Sequence, residues 1–134
     1  MRKITRKGLI KKLDKYCAWL VIKKYKGKCV TCGSTNRPTW SHVFSRRTYS
    51  TRWDLMNCHC QCWPCNFKHV RDQYPYFKWF EDKYGKKELE ALRKRFKTTR
   101  PWKMYDLQDK LDELEMKSAS YISGLPFCAM MGCD

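Results

Sequence analysis

Nine cysteines in 134 residues raise the first chemical question, and the spacing of four of them answers it. Cys29-x-x-Cys32 and Cys62-x-x-Cys65 are two Cys-x-x-Cys pairs. Each pair can offer two sulfurs from one turn to a single ion. Four thiolates close a tetrahedral Zn²⁺ site with no position left for water, so this zinc is expected to be structural. In a secreted chain the same count would suggest disulfides; in a reducing compartment, Cys-x-x-Cys pairs suggest metal. The 29 residues between the pairs exceed the roughly 15–20 of a zinc ribbon, so something folded must sit between the knuckles. Residues 39–43 (TWSHV) and 57–61 (NCHCQ) each alternate as a short strand, which predicts a β-hairpin.

The hairpin carries His42 and Asn57, Asn66 follows the last cysteine directly, and His59 and His69 lie close by. This order resembles the His-Asn-His (HNH, ββα-metal) nucleases, in the branch where a cysteine pair precedes the hairpin and Cys-x-x-Cys-Asn begins a helix. Within it, the chain is most similar to the NinG/Rap recombination nucleases of bacteriophages. The shared residues are His42-x-x-Ser45-Arg46, Arg52-Trp53 and Asn57-x-His59-x-Gln61-Cys62-x-x-Cys65-Asn66, and the likeness covers about residues 29–97.

The resemblance implies a metal-dependent DNA endonuclease that leaves 5′-phosphate and 3′-hydroxyl ends. It also implies branched DNA, such as Holliday junctions or D-loops, as substrate. His42 would be the base that deprotonates water, and its ordinary pKa near 6.5 suits that task. Asn57 would hold the hairpin loop so that a backbone carbonyl fixes one imidazole nitrogen. Asn66 offers a hard oxygen suited to Mg²⁺ or Mn²⁺. Relatives often place an acid just before the histidine, but here Ser41 stands there. His59, expected to turn toward His42 by strand alternation, and His69 are the candidates to complete the ligand set. Arg46, Arg47 and Arg52 in the connecting loop can grip phosphate, as can Arg6, Lys11 and Lys12 near the N-terminus.

Other elements must position these groups. Ile10, Leu13, Cys17, Leu20 and Val21 recur at helical spacing over 9–25, with Gly27 as a stop. Helices are predicted after Cys65, from about residue 75 to Gly85, over KKELEALRKRFK, and from 102 to 117 along Met104, Leu107, Leu111 and Leu114. That last stripe suits either a homodimer contact or packing onto the core. Tyr74, Tyr76, Phe77, Trp79 and Phe80 are expected as helix core, and Cys17, Cys58 and Cys60 as small core residues. The expected fold is α+β and mostly helical. Its parts are a basic N-terminal helix or arm (1–28), a zinc-stapled nuclease core (29–97), a C-terminal helix (98–117) and a loose tail (118–134). Cys128 and Cys133 in the tail could join a second metal site, but this is the less favoured reading.

Charge narrows the partner. The formal net charge is +16, and residues 1–53 hold 15 Lys/Arg against the single acid Asp14. So lopsided a positive field suits a polyanion such as DNA. No apolar run approaches the ~20 residues of a membrane span, and the basic N-terminus lacks a signal peptide's apolar stretch. The expected compartment is the cytoplasm, that of the host cell if the chain is phage-encoded. Two other functions fit part of the pattern. A non-catalytic zinc-knuckle DNA-binding module has no need of His42, Asn57 and Asn66 in register. An HNH nickase of linear duplex DNA would cut without junctions.

Overall fold

The computed structural model describes residues 3–122. The elements are α1 (Arg6–Lys24), β1 (Pro38–His42), α2 (Tyr49–Arg52), β2 (Cys58–Cys62), α3 (Trp63–His69), α4 (Tyr74–Tyr84), α5 (Lys86–Lys97) and α6 (Met104–Ile122). The chain divides into two compact units. One is the chain up to Leu20 together with the stretch from Trp102 onward, and the other spans Val21–Pro101. The division falls inside α1.

In the first unit, the Thr5 hydroxyl accepts the Gly8 N–H at 3.0 Å and caps the start of α1. Leu9, Leu13, Cys17 and Leu20 recur at three- and four-residue steps and are buried. Arg6 donates to the Trp102 carbonyl at 2.6 Å, and Trp19 meets Tyr121 edge-on at 5.6 Å. Low numbers thus meet low and high meet high, so α1 and α6 run in the same direction. Of the stripe, Leu107, Leu111 and Leu114 are buried within the single chain, whereas Met104 is exposed. The helix also reaches Ile122, where a loose tail was expected from 118. The Ser118 hydroxyl turns back to the Leu114 carbonyl at 2.9 Å, which lets a polar residue sit buried in a helix. Cys128 and Cys133 lie outside the described residues.

In the second unit, α1 ends where Lys26 and Gly27 adopt positive φ and Gly27 N–H reaches back to the Ile22 carbonyl at 2.9 Å. The two strands pair antiparallel, with Trp40 opposite Cys60, Ser41 opposite His59 and His42 opposite Cys58. The helix α3 leaves β2 without a linker, with a proline in its first turn. Gly85, at φ 93, separates α4 from α5. Val43, Phe44, Tyr76, Phe80, Leu89 and Leu92 form the core, joining the segment after β1 to α4 and α5. The aromatic run of α4 behaves as amphipathic core: Tyr76 and Phe80 are buried, whereas Tyr74 is exposed. The unit is therefore mostly helical around one two-stranded sheet, which is what positions the residues of interest.

Candidate metal centre and active site

The four sulfurs of Cys29, Cys32, Cys62 and Cys65 lie within 4.8 Å of one another, with Cys32 and Cys62 3.6 Å apart. A zinc tetrahedron with ~2.3 Å bonds has edges of about 3.8 Å, so the set fits one zinc ion. Local backbone makes the fit. Gly33, at φ 81, folds the first knuckle so that its N–H meets the Cys29 carbonyl at 2.9 Å. Val30 N–H then docks on the Cys60 carbonyl of β2 at 2.9 Å. Cys62 closes β2 and Cys65 sits in the first turn of α3. Burial opposes the Cys29 thiolate, yet the Thr31 hydroxyl and nearby N–H groups outweigh it and lower the thiol to about 6. Burial, with the neighbouring thiols, pushes Cys65 up to about 12. A divalent cation held by the four sulfurs would displace their protons.

At the far end of β1, His42 points its Nε2 at the Arg52 carbonyl, 2.9 Å away. A carbonyl only accepts, so Nε2 carries the proton and the lone pair of the neutral ring is on Nδ1. The Arg52 carbonyl also accepts the Cys58 thiol at 3.3 Å, and the neighbouring Thr51 is fixed by Asn57, which is fully buried. Its Oδ1 accepts the Phe44 N–H at 2.8 Å, and its Nδ2 donates to the Phe44 and Thr51 carbonyls, each at 3.0 Å. One amide therefore pins both ends of the 15-residue connection between the strands. Trp40 packs edge-on against His42 at 4.4 Å, and Arg46 lies over Trp40 at 5.0 Å. Arg52 lies over Tyr49 and Trp53. Arg47 lines a cavity of about 260 Å³ with Thr48, Ser50, Thr99 and Arg100. Arg6, Lys11 and Lys12 belong to the other unit.

On the opposite face of β1, the Ser41 hydroxyl meets Gln61 Oε1 at 2.5 Å and Asn66 Oδ1 at 3.1 Å. Asn66 Nδ2 donates to the Thr39 hydroxyl at 3.0 Å. A single hydroxyl proton cannot serve both carbonyl-type oxygens at once, so three hard neutral oxygens converge with one proton among them. Their type suits Mg²⁺ or Mn²⁺, while the charge of a carboxylate is missing. His69 sits beside them with its Nε2 on the Val43 carbonyl at 2.9 Å and its Nδ1 buried without a hydrogen-bond partner. Burial lowers its pKa against the opposing pull of that carbonyl and of Asp72.

The expectation that His59 turns toward His42 is corrected by the register. Residues directly opposite share a face, so His59 accompanies Ser41, while His42 accompanies Cys58. His59 is fully buried, donates or accepts through Nδ1 with the Tyr76 hydroxyl at 2.7 Å, and is ringed by Tyr25, Trp79, Phe80 and Tyr84. Burial first, then the charges of Lys24 and Lys83, holds its pKa well below the usual histidine value. It is a core residue, not a ligand of an ion beside His42. Among the described residues, the four cysteines are the one cluster of Cys, His, Asp and Glu arranged to hold a metal. Gln61, Thr39 and Trp40 are the members that residue-type reasoning passed over. Gln61 stood in the quoted motif, two residues from His59, and its strand parity with Ser41 was the available signal.

The family whose model matches residues 3–120 is described as bacteriophage Lambda NinG protein. No curated protein and no solved structure matches the chain.

Proposed function

Since the chain belongs to the bacteriophage lambda NinG family, we propose that it is a zinc-stapled, metal-dependent DNA endonuclease of the ββα-metal type acting on branched recombination intermediates. The observation that carries the reading is the Asn57 lock. A fully buried side-chain amide spends three bonds on fixing Phe44 and Thr51, the residues that flank His42 and the Arg52 carbonyl it meets. Structural needs alone rarely call for such an arrangement around a histidine, whereas a general base needs its tautomer and orientation fixed.

In this reading His42 Nδ1 takes a proton from water as the water oxygen attacks the scissile phosphorus. The P–O3′ bond breaks and the leaving O3′ takes a proton from solvent water, giving a 5′-phosphate and a 3′-hydroxyl. Asn66 Oδ1, half-buried on α3, is the hard oxygen that would hold Mg²⁺ or Mn²⁺ together with phosphate oxygens of the substrate, and the ion would stabilise charge on the phosphate. Arg46, Arg47 and Arg52 hold flanking phosphates by paired N–H donors. DNA is the partner, and the cysteine-bound zinc is structural. The NinG family and the branched-DNA substrate of its NinG/Rap likeness support a recombination role in a phage-infected cell. Two nicks per junction favour a homodimer assembled through surfaces other than the Leu107–Leu114 stripe.

The test compares wild type with His42→Ala on a synthetic four-way junction and on supercoiled plasmid, with Mg²⁺, Mn²⁺ or EDTA. Cutting by wild type with either ion, and loss of at least 100-fold in the variant, is expected. Equal cutting by both, or none by either while DNA is still bound, would replace the nuclease with a DNA-binding zinc module.

A further inference from the structure

Four side chains outside the His42 loop stack into one exposed ladder along α3. Trp63 and Phe67, one helical turn apart, lie ring on ring with centroids 5.2 Å apart and planes 14° from parallel. The Arg37 guanidinium sits 4.7 Å from the Trp63 centroid, and that of Arg71 sits 5.5 Å from the Phe67 centroid. The order is therefore cation, indole, phenyl, cation. Trp63 is 47% and Phe67 52% exposed, and α3 buries none of its residues, so these rings serve no core.

The ladder is also braced. Arg37 adopts φ 52, a left-handed conformation uncommon outside glycine. Its carbonyl accepts the Trp63 N–H at 2.9 Å, which fixes the arginine beside the ring it covers. Lys68 is exposed on the same short helix, and Asp72 is the lone acid across 63–72. Flat rings bracketed by cations match the two faces of single-stranded nucleic acid, because bases stack on aromatics while guanidinium groups meet phosphates. A paired duplex hides its base faces, so it can use only the charges. A protein partner drawn to apolar surface would meet three cations here.

We propose that the Arg37–Trp63–Phe67–Arg71 ladder binds unpaired bases where DNA strands separate, giving the chain a preference for branched over fully paired DNA. This inference rests on the DNA-binding part of the proposed function and names the substrate feature the protein reads. Arg37 stands five residues before His42, a span of about 16 Å at ~3.3 Å per strand residue. That bound is roughly the length of five stacked nucleotides at ~3.4 Å each.

The experiment measures fluorescence anisotropy of labelled oligonucleotides with the zinc-loaded full chain in a zinc-buffered solution lacking Mg²⁺ and Mn²⁺. The probes are a fork with two single-stranded arms and a blunt duplex of equal phosphate number. Trp63→Ala and Phe67→Ala should each weaken fork binding by roughly ten-fold and duplex binding by less than two-fold. Trp63→Phe should restore most of the fork affinity. Equal loss on both probes, or no loss on either, overturns the proposal. So does a self-association seen in sedimentation that Trp63→Ala abolishes, because the patch would then be a protein contact. Binding needs no cleavage, so a fork preference in a chain that cuts nothing would sink the nuclease and leave the ladder standing. Cleavage with an unchanged fork preference in Trp63→Ala would do the reverse.

Discussion

Replacing Asn57 should destabilise the protein far more than the removal of one polar side chain usually does. Asn57→Ala orphans the buried Phe44 N–H, bonded at 2.8 Å, and the Phe44 carbonyl, bonded at 3.0 Å, and leaves the Thr51 carbonyl, also bonded at 3.0 Å, with only weaker backbone donors such as the Asp54 N–H at 3.3 Å. Each orphaned buried group costs about 1–3 kcal/mol. With carbonyls at the low end, the expected loss is about 3–5 kcal/mol, a large part of a typical stability of ~5–15 kcal/mol. At roughly 3–4 °C per kcal/mol for a chain of this size, Tm should fall by about 10–15 °C. Asn57→Asp refines the test at constant shape. It keeps the acceptor for the Phe44 N–H but sets a carboxylate against two carbonyl oxygens, so at pH 7 it should be no better than alanine. Urea and thermal unfolding of zinc-loaded protein, followed by near-ultraviolet circular dichroism, read both variants. A loss below about 1 kcal/mol for alanine, or wild-type stability for aspartate, would refute the idea that one amide holds the loop.

Three further outcomes are expected. Purified protein should carry one zinc per four-cysteine cluster, and Cys62→Ser should lose it and melt earlier; retained zinc in atomic absorption would disprove the staple. Stability should fall with acid because the fold keeps His59 neutral, its pKa lowered chiefly by burial. Above about pH 6.5 neither state holds the extra proton; below it the unfolded chain does, costing about 1.4 kcal/mol per pH unit. His59→Gln should flatten that slope in unfolding curves from pH 7.5 to 5.5, and an unchanged slope would assign the acid sensitivity elsewhere. Ser41→Asp places a buried carboxylate against Gln61 Oε1 and Asn66 Oδ1, so its Tm should drop without divalent ions and recover with Mn²⁺. No recovery would remove the oxygen trio as an ion site.

Much of the frame was legible because its signals are local. Cysteine spacing placed the four sulfurs, Gly27 and Gly85 marked helix ends, and alternation found both strands to within one residue. What alternation cannot supply is register. Two strands each with period two may be set in step or out of step, and only the pairing of Ser41 with His59 decides that His59 joins the aromatic core. The extension of α6 past residue 117 was hidden for a different reason. Ser118 and Ser120 interrupt the apolar stripe, and the hydrogen bond from Ser118 to its own helix is invisible to a pattern of apolar residues. The short helix α2 lay in a stretch that reads as polar loop, since its helicity comes from the turn closed by Thr48 and Asn57 rather than from composition. Trp63 and Phe67 were four apart in plain view. The Arg37 guanidinium over Trp63 comes from a residue distant in sequence that the hairpin brings near.

The absence of any buried residue in α3 sets how this region comes apart. Most helices are held by many small apolar contacts and loosen by degrees. This one is tethered at Cys62 and Cys65 and by a few polar bonds, among them Asn66 to Thr39 and His69 to the Val43 carbonyl. Its attachment is concentrated at one point, the four-cysteine cluster that could hold a metal ion. Withdrawing zinc should therefore detach α3 as a block, with the Trp63–Phe67 pair, Asn66 and His69, while Phe44, Phe80 and Leu92 stay packed. If zinc fills the cluster as proposed, its supply would act as an assembly licence: a zinc-starved chain would be mostly folded yet lack the helix that, in the proposed nuclease, brings DNA and ion together.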